Sequence, residues 1–124
     1  MAGDVAYSVT LDTSKNVYST GTFNGTSDFD PGVGIVNLTA IGMNDIFISK
    51  LDGQGNFKWA KNFGGTNEDM CLSIALDVSG NIYTTGYFGG TVDFNPGSGT
   101  YNLASDDSYS IDIIGSIYFY AIPR

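Results

Sequence analysis

The chain has 124 residues, with 13 Asp and Glu against 5 Lys and Arg, which gives a formal net charge of −8. This length suits one ordinary domain, and the acidic balance argues against a nucleic-acid partner, because binding nucleic acid generally needs a basic surface. The sequence has no His and one Cys, which excludes within this chain a Ser-His-Asp triad, a Cys-His pair and a zinc site made of His or several thiolates.

The first predicted elements are two strands joined by a turn. "AYSVTLD" (6–12) alternates apolar and polar residues, "TSKN" (13–16) is rich in turn formers, and "NVYSTGTF" (16–23) alternates again. Period-two alternation is typical of strands, and it places Val17 and Phe23 on one face with Tyr18 and Thr20 on the other.

Two further strands follow a loop that contains Pro and Gly. "DIFISKLD" (45–52) and "FKWAKNFGG" (57–65) are predicted as strands on either side of the turn "GQGN" (53–56). The next stretch, "TNED" (66–69), is interpreted as a solvated turn that exposes Glu68 and Asp69.

The sequence then repeats itself. Residues 4–38 align with residues 69–103 at an offset of 65 (position 69 less position 4), and more than half of the aligned residues are identical. Such self-similarity is typical of repeat architectures. Four antiparallel strands per period, with apolar residues on both faces of the third strand, predict an all-β fold of β-propeller blades, because a blade is packed between two neighbouring sheets.

The stretches "SIALDVSGNIYTTGYF" (73–88), "DIFISKLDGQGNFKWAKNFGG" (45–65) and "GTVDFNPGSGTYNL" (90–103) resemble the SBBP-type β-propeller repeats of large secreted or surface bacterial proteins. The resemblance covers residues 3 to about 105. It implies a propeller fold and an extracellular or cell-surface location, and it implies no particular activity or catalytic residues. The chain itself shows no signal peptide, because no basic region is followed by an apolar core at its N-terminus, and no apolar run has the length of a membrane span.

The predicted organisation is a partial propeller with one full blade and an incomplete second. Repeat 1 spans about 4–68, repeat 2 about 69–105, and 106–124 is a divergent tail. Asp112 and Ile113 in this tail are interpreted as a remnant of the third strand, whereas the fourth strand has no counterpart. The chain is interpreted as a fragment of a longer protein, with a terminal cap as the alternative, although the apolar "IIGSIYFYAI" (113–122) disfavours a cap.

The repeated motif "D-F-[DN]-P-G-x-G" predicts a rigid turn. Pro31 and Pro96 each fix φ near about −65°, and the following Gly permits a positive φ. Phe29 and Phe94 are expected to pin this turn to the blade. Asp28 and Asp93 are expected to accept hydrogen bonds from backbone N–H groups of the loop.

The alternative interpretation of this motif is a calcium site. Its ligands would be Asp28 and Asp30 in the first copy and Asp93 and Asn95 in the second. These are hard oxygen ligands, but Ca²⁺ takes six to eight oxygens, and the spacing is not that of an EF-hand. The stretches "LDTSKN", "LDGQGN" and "LDVSGN" also resemble cation loops, and they are interpreted as hairpins instead, since each lies between two strands. Cys71 is predicted to be a small buried residue.

Three functional hypotheses follow. The first is a non-catalytic scaffold or ligand-binding module, whose partners would be neighbouring blades and a protein or glycan ligand. The second is a carbohydrate-active propeller enzyme, either a glycoside hydrolase or a lyase, working through carboxylates or Tyr. A raised pKa in a unique carboxylate pair lining a pocket would favour it. The third is a self-assembling homo-oligomer, because unpaired blade faces and edge strands need partners.

Overall fold

The structure, a computed structural model, describes residues 3–95, 98–105 and 112–119. These residues form strands and loops, and none of them lies in a helix. Accordingly, this part of the chain offers no helix that could cross a membrane. The predicted role of Pro96, and the tail segments 106–111 and 120–124, lie outside the described residues. The described strands are β1 (Val5–Leu11), β2 (Val17–Phe23), β3 (Thr26–Asp28), β4 (Asn37–Thr39), β5 (Asp45–Leu51), β6 (Phe57–Phe63), β7 (Met70–Leu76), β8 (Ile82–Phe88), β9 (Thr91–Asp93), β10 (Asn102–Ala104) and β11 (Asp112–Phe119).

The first sheet has the order β1-β2-β5-β6, and every neighbouring pair is antiparallel. These are the four strands that the alternating pattern predicted for one period. Their observed ends differ from the predicted ones by one or two residues, because Asp12, Asn16 and Asp52 belong to the turns. Gly64 and Gly65 likewise follow the last strand.

A short hairpin was not predicted from the sequence, where only the turn of the "D-F-[DN]-P-G-x-G" motif (28–34) was expected. Strands β3 and β4 pair from Thr26 opposite Thr39 to Asp28 opposite Asn37. Gly25 allows the entry into this hairpin because its φ is +61°. Two backbone hydrogen bonds close it, from Ala40 N to Gly25 O (2.8 Å) and from Phe29 N to Val36 O (2.9 Å). Strands β9 and β10 form the same hairpin in the second repeat.

The second sheet has the order β11-β8-β7, again antiparallel. Asp112 lies opposite Phe88, as Asp45 lies opposite Phe23 in the first sheet. The pairing therefore gives β11 the third position of a blade, in agreement with the interpretation of Asp112 and Ile113 as a remnant. In the described residues this sheet has three strands, and the two sheets form no closed ring.

The two sheets pack face to face, with β7 lying against β1, β2 and β5. One apolar core runs through the junction, and its members come from both repeats: Tyr18, Ile46, Ile48, Phe63, Cys71, Ile74, Ile82, Phe88, Val92 and Phe94. The opposite face of β5 is also covered, since Phe47 is 7% exposed. Both faces of β5 are therefore packed, as predicted, but the outer face is covered by Phe29 of the loop in the same repeat and not by a second neighbouring sheet.

Candidate functional site

Three hairpin turns share one hydrogen-bonded arrangement, in which an Asp holds the residues that follow it. In the first turn, Asp12 Oδ1 accepts the backbone N–H groups of Ser14 (2.9 Å) and Asn16 (2.9 Å). Its Oδ2 accepts the Asn16 side-chain amide at 2.8 Å and the Tyr18 hydroxyl at 3.3 Å. The same backbone and amide contacts recur from Asp52 to Gln54 and Asn56, and from Asp77 to Ser79 and Asn81.

These turns confirm the hairpin interpretation of the "LD…N" stretches. The residue before the Asn has positive φ in each case, with values of +64° at Lys15, +86° at Gly55 and +85° at Gly80. The carboxylates are held in their charged form: the Asn81 side-chain amide, followed by its backbone N–H, lowers the pKa of Asp77. The corresponding bonds from Asn56 lower the pKa of Asp52. Each Asp is thus a structural hydrogen-bond acceptor.

A groove of about 290 Å³ lies between the two sheets, at the end where the first and third of these turns meet. Its aromatic wall consists of Tyr18 and Trp59, whose rings meet edge to face with centroids 6.2 Å apart. Lys50 Nζ lies 5.2 Å from the centre of the Tyr18 ring, within the range of a cation–π contact. The remaining lining is Leu11, Asp12, Thr13, Ser14, Asn16, Leu76, Asp77, Val78, Ser79, Gly80 and Ile82.

The chemistry of this groove is that of a binding surface. An aromatic wall offers apolar area, the Lys50 amine offers hydrogen-bond donors, and the exposed turns offer polar groups. Asp12 and Asp77 are occupied by the hydrogen bonds of their own turns, so they are poor candidates for an acid or a base. Their lowered pKa values keep both ionised at neutral pH.

The "D-F-[DN]-P-G-x-G" loops have the hydrogen bonds that the sequence predicted. Asp28 Oδ1 accepts the N–H groups of Asp30 (3.0 Å) and Val36 (2.8 Å). Asp93 Oδ1 accepts those of Asn95 (3.0 Å) and Tyr101 (2.8 Å). The bonds to Val36 and Tyr101 lower the pKa of the respective Asp.

The glycines of this motif have a packing role, and neither Gly32 nor Gly34 has the positive φ that the motif permits. A methyl group placed on Gly34 would collide with Asp30 Oδ2, and one placed on Gly99 would approach Asn95 Nδ2 to 2.7 Å. The side chain at the third motif position therefore lies directly on the last glycine. Calcium binding by Asp28, Asp30, Asp93 and Asn95 stays a prediction. Among residues 3–95 and 98–105, no three His, Cys, Asp or Glu side chains are grouped as metal ligands.

The two motif phenylalanines pin their loops as predicted. Phe29 packs on Phe47 and Phe23, with centroid distances of 5.1 Å and 5.3 Å. Phe94 packs on Phe88 at 5.2 Å and on Phe63 of the first sheet at 6.4 Å. The second loop therefore belongs to the contact between the sheets, whereas the first lies on the outer face of its own sheet.

Two buried carboxyl groups were not anticipated. The prediction that Asp69 lies in a solvated turn is wrong: Asp69 is 0% exposed, whereas its neighbour Glu68 is exposed. Asp69 accepts the N–H groups of Gly65 (2.8 Å) and Gly89 (3.2 Å). Burial raises its pKa to about 6, with a smaller contribution from the negative charge of Asp45.

Asp45 is also 0% exposed, and its Oδ1 has no hydrogen-bond partner. Its Oδ2 accepts Ile41 N at 3.2 Å and the Asn62 amide at 3.2 Å. Burial raises its pKa. Neither Asp45 nor Asp69 lines the groove, so this pair does not meet the expectation for catalytic carboxylates open to substrate. The sequence does repeat this Asp, because Asp4 is the counterpart of Asp69, and Asp4 accepts Asn24 N at the position equivalent to Gly89. Asp4 is exposed, so the repetition indicates the hydrogen bond and not the burial.

Cys71 has the predicted buried position, with 1% of its surface exposed. Burial raises the pKa of its thiol, which disfavours the reactive thiolate. Its sulfur lies 3.7 Å from Ser73 O and 3.6 Å from Thr85 O. Cys71 is therefore part of the core and not a candidate nucleophile.

Comparison with known proteins indicates a repeat protein. No protein-family model matches the sequence. An uncharacterized WD repeat-containing protein of Acanthamoeba polyphaga mimivirus is 33% identical over an alignment of 94 residues, and the match covers 64% of this chain and 7% of the relative. The chain thus spans a small part of that relative's length. Together with the antiparallel all-β sheets, this likeness indicates a repeat of the β-propeller type.

Proposed function

We propose that this chain is a non-catalytic propeller-type repeat module, which acts as a scaffold and presents a ligand-binding groove at one end. One observation carries the proposal: the two repeats fold into equivalent sheets that stack on a shared core. In such an architecture the strands supply rigidity, and the turns at the sheet ends are left to carry contacts with partners.

The groove beside Trp59 is the proposed ligand site. Aromatic side chains combined with a few polar donors suit the apolar faces and hydroxyl groups of a sugar, and they suit an extended peptide as well. Of these two, a glycan ligand agrees better with the turn groups around the ring, because these groups can donate hydrogen bonds to sugar hydroxyls and accept hydrogen bonds from them. A secreted or cell-surface location accords with such a ligand, and it rests on the resemblance of the repeats.

A fluorescence titration tests the groove, because Trp59 is the single Trp of the chain. Soluble neutral oligosaccharides, and separately short synthetic peptides, are added while the Trp emission is recorded. We expect a saturable change with one class of probe. Lys50→Gln should weaken binding, while Lys58→Gln serves as the matched control because Lys58 pairs with Asp52 at 3.9 Å and does not line the groove.

The absence of any saturable change at millimolar probe concentration would overturn the groove as a site for glycans and short peptides. Equal weakening by both Lys variants would also count against it, since that result would reflect general charge and not the groove. The scaffold role is tested separately, by the unfolding of the two sheets as one unit.

Calcium binding by the motif loops is a second proposal. Asp28 and Asp30 place carboxylates in one exposed loop, with Asp93 and Asn95 in the equivalent loop. A rise in the thermal midpoint on adding millimolar CaCl₂, reversed by chelator and absent with MgCl₂, would support it. Asp30→Ala should abolish the rise, and an unchanged rise in that variant would exclude this loop. Val33→Ala is the control, because Val33 is fully exposed in the same loop.

A further inference from the structure

Equivalent positions of the two repeats differ sharply in burial. Ile74 on β7 is 6% exposed because it packs on the first sheet, whereas its counterpart Val9 on β1 is 64% exposed. Cys71 is 1% exposed, and its counterpart Ala6 is exposed. The face of β1 therefore has the residues that make a sheet contact in β7, with no described residue covering them.

The hairpin loops of the two repeats differ in burial in the same way. Phe94 is 3% exposed and contacts Phe63 of the other sheet, while its counterpart Phe29 is half-buried. Val92 is 0% exposed, and its counterpart Ser27 is half-buried. We call the surface formed by Ala6, Val9 and Phe29 the leading face.

The outer face of the second sheet shows the opposite difference in burial: residues that are buried on β2 have more exposed counterparts on β8. Tyr18 and Thr20 on β2 are 5% and 0% exposed, because they receive β7. Their counterparts on β8 are Tyr83, which is half-buried, and Thr85, which is exposed. We call the surface of β8 that carries Thr85 and Tyr87 the trailing face.

We propose that the leading face of one copy of this chain docks on the trailing face of a second copy, reproducing between molecules the contact that joins the two sheets within each. The proposal deepens the proposed scaffold function and depends on it. Its template is the internal junction, where Ser8 Oγ lies 3.2 Å from Ile74 N and Thr22 Oγ1 lies 3.1 Å from Asp69 O. In the intermolecular contact, Ser73 Oγ of one copy would accept Val9 N of the other.

This contact is heterologous, because different surfaces of the two copies meet. Repetition of a heterologous contact gives a ring or an open chain, whereas a symmetric dimer stops at two. Each copy has a net charge of −8, so the copies repel one another at low ionic strength. Association is therefore stronger in higher salt, where this repulsion is screened and apolar burial dominates.

The test uses one substitution on each face. Val9→Lys places a charge on the leading face, and Thr85→Lys places one on the trailing face. Val78→Lys is the matched control, because Val78 is 99% exposed in a turn and belongs to neither face. Molar mass is measured by light scattering after size-exclusion chromatography over a hundredfold range of protein concentration, in low and high salt.

We expect the unsubstituted chain and Val78→Lys to form species larger than a dimer as concentration rises, and each face variant alone to stay monomeric. An equimolar mixture of the two face variants should form a 1:1 dimer and nothing larger, because one intact leading face and one intact trailing face remain. This complementation separates a head-to-tail contact from non-specific aggregation.

A folded monomer at every concentration would overturn the proposal and leave the scaffold function intact. Oligomers that persist equally in both face variants would overturn it too, since the contact would then lie elsewhere. Circular dichroism and the thermal midpoint, recorded for every variant, distinguish these results from loss of the fold. Loss of the β-sheet signal in the unsubstituted chain would instead contradict the proposed scaffold itself.

Discussion

Gly21 and Gly86 occupy equivalent positions on the second strand of each sheet, opposite Ala6 and Cys71. The neighbouring strand has an irregularity in its register just after that pair in both repeats. A methyl group on Gly21 would collide with Val5 O, and one on Gly86 would collide with Met70 O. These glycines are retained in both copies because the bulged strand passes directly over them.

Gly86→Ala should therefore lower the free energy of unfolding by about 1–3 kcal/mol, since backbone must move to admit the methyl group. The change is measured by urea denaturation. Gly3→Ala is the control, because nothing lies within 4 Å of its added Cβ. Equal stability of the two variants would show that the strands do not approach as closely as described.

The buried Asp69 makes stability depend on pH in an unusual direction. Its folded-state pKa of about 6 lies above the usual value of 3.8 for Asp, so the folded protein binds the proton more tightly. Its contribution is full below about pH 3.8 and is lost as pH rises toward 6. The lowered pKa values of Asp28, Asp52, Asp77 and Asp93 act in the opposite sense and reduce stability as pH falls below 3.8.

We expect maximal stability near pH 4, and a loss of about 2 kcal/mol between pH 4 and pH 7 that comes from Asp69, after an allowance for solvent screening. Asp69→Asn should flatten this loss, although Asp45 retains a change of the same sign. The free energy of unfolding is measured at half-unit pH intervals. An equally steep fall in Asp69→Asn would assign the dependence to other groups.

The motif loops show how one sequence element takes on two packing roles. Each loop presents a Phe to the second strand of its own repeat, and in the second repeat that Phe also reaches the first sheet. Phe94 is almost fully buried between Phe88 and Phe63, whereas Phe29 is half-buried. The local hydrogen bonds of the two loops are the same, so this difference arises from the neighbouring sheet.

Phe94→Ala should therefore lower the free energy of unfolding by about 3–4 kcal/mol, because it opens a cavity at the junction of the sheets. Phe29→Ala should lower the free energy of unfolding by clearly less, since part of that side chain already faces solvent. Urea denaturation of the two variants gives the comparison directly. A larger cost for Phe29→Ala would mean that the loop, and not the sheet junction, dominates the energetics.

At the scale of the molecule, the two sheets share one core, and the first sheet has a second apolar cluster of Phe23, Phe29 and Phe47 on its outer face. Ile48 is 2% exposed on the first sheet and faces the residues of β7 and β8. The turns fix each sheet locally, and most of the buried apolar side chains lie at the junction. The described residues are therefore expected to unfold as one cooperative unit.

Ile48→Ala should destabilise the protein by about 2–4 kcal/mol and should do so for both sheets together. Hydrogen exchange read by NMR measures this, because amides of β5 and β8 report on different repeats. Their opening free energies should fall by the same amount. A fall confined to β5 would show that the second sheet is stable by itself and would count against a shared scaffold.

Much of the fold could be predicted because the responsible signals are local. Alternation located the long strands, turn residues located the hairpins, and the offset of 65 residues between Asp4 and Asp69 exposed the repeat. The hydrogen bonds of Asp28 and Asp93 followed from the motif itself, since an Asp that accepts nearby N–H groups needs only its own loop. Apolar–polar alternation and turn formation depend on residues that are adjacent in the chain, so both can be predicted from the sequence.

The tertiary structure alone decided what each repeated residue contacts. Val9 and Ile74 occupy equivalent positions of the two repeats, yet Val9 is exposed and Ile74 is buried, because only β7 packs against another sheet. The sequence around Asp69 is that of an exposed turn, but the folded chain buries Asp69 beside Gly65 and Gly89. The groove at Trp59 likewise exists only where two turns distant in sequence meet. Burial depends on which surfaces face each other, and the order of residues along one repeat does not contain that information.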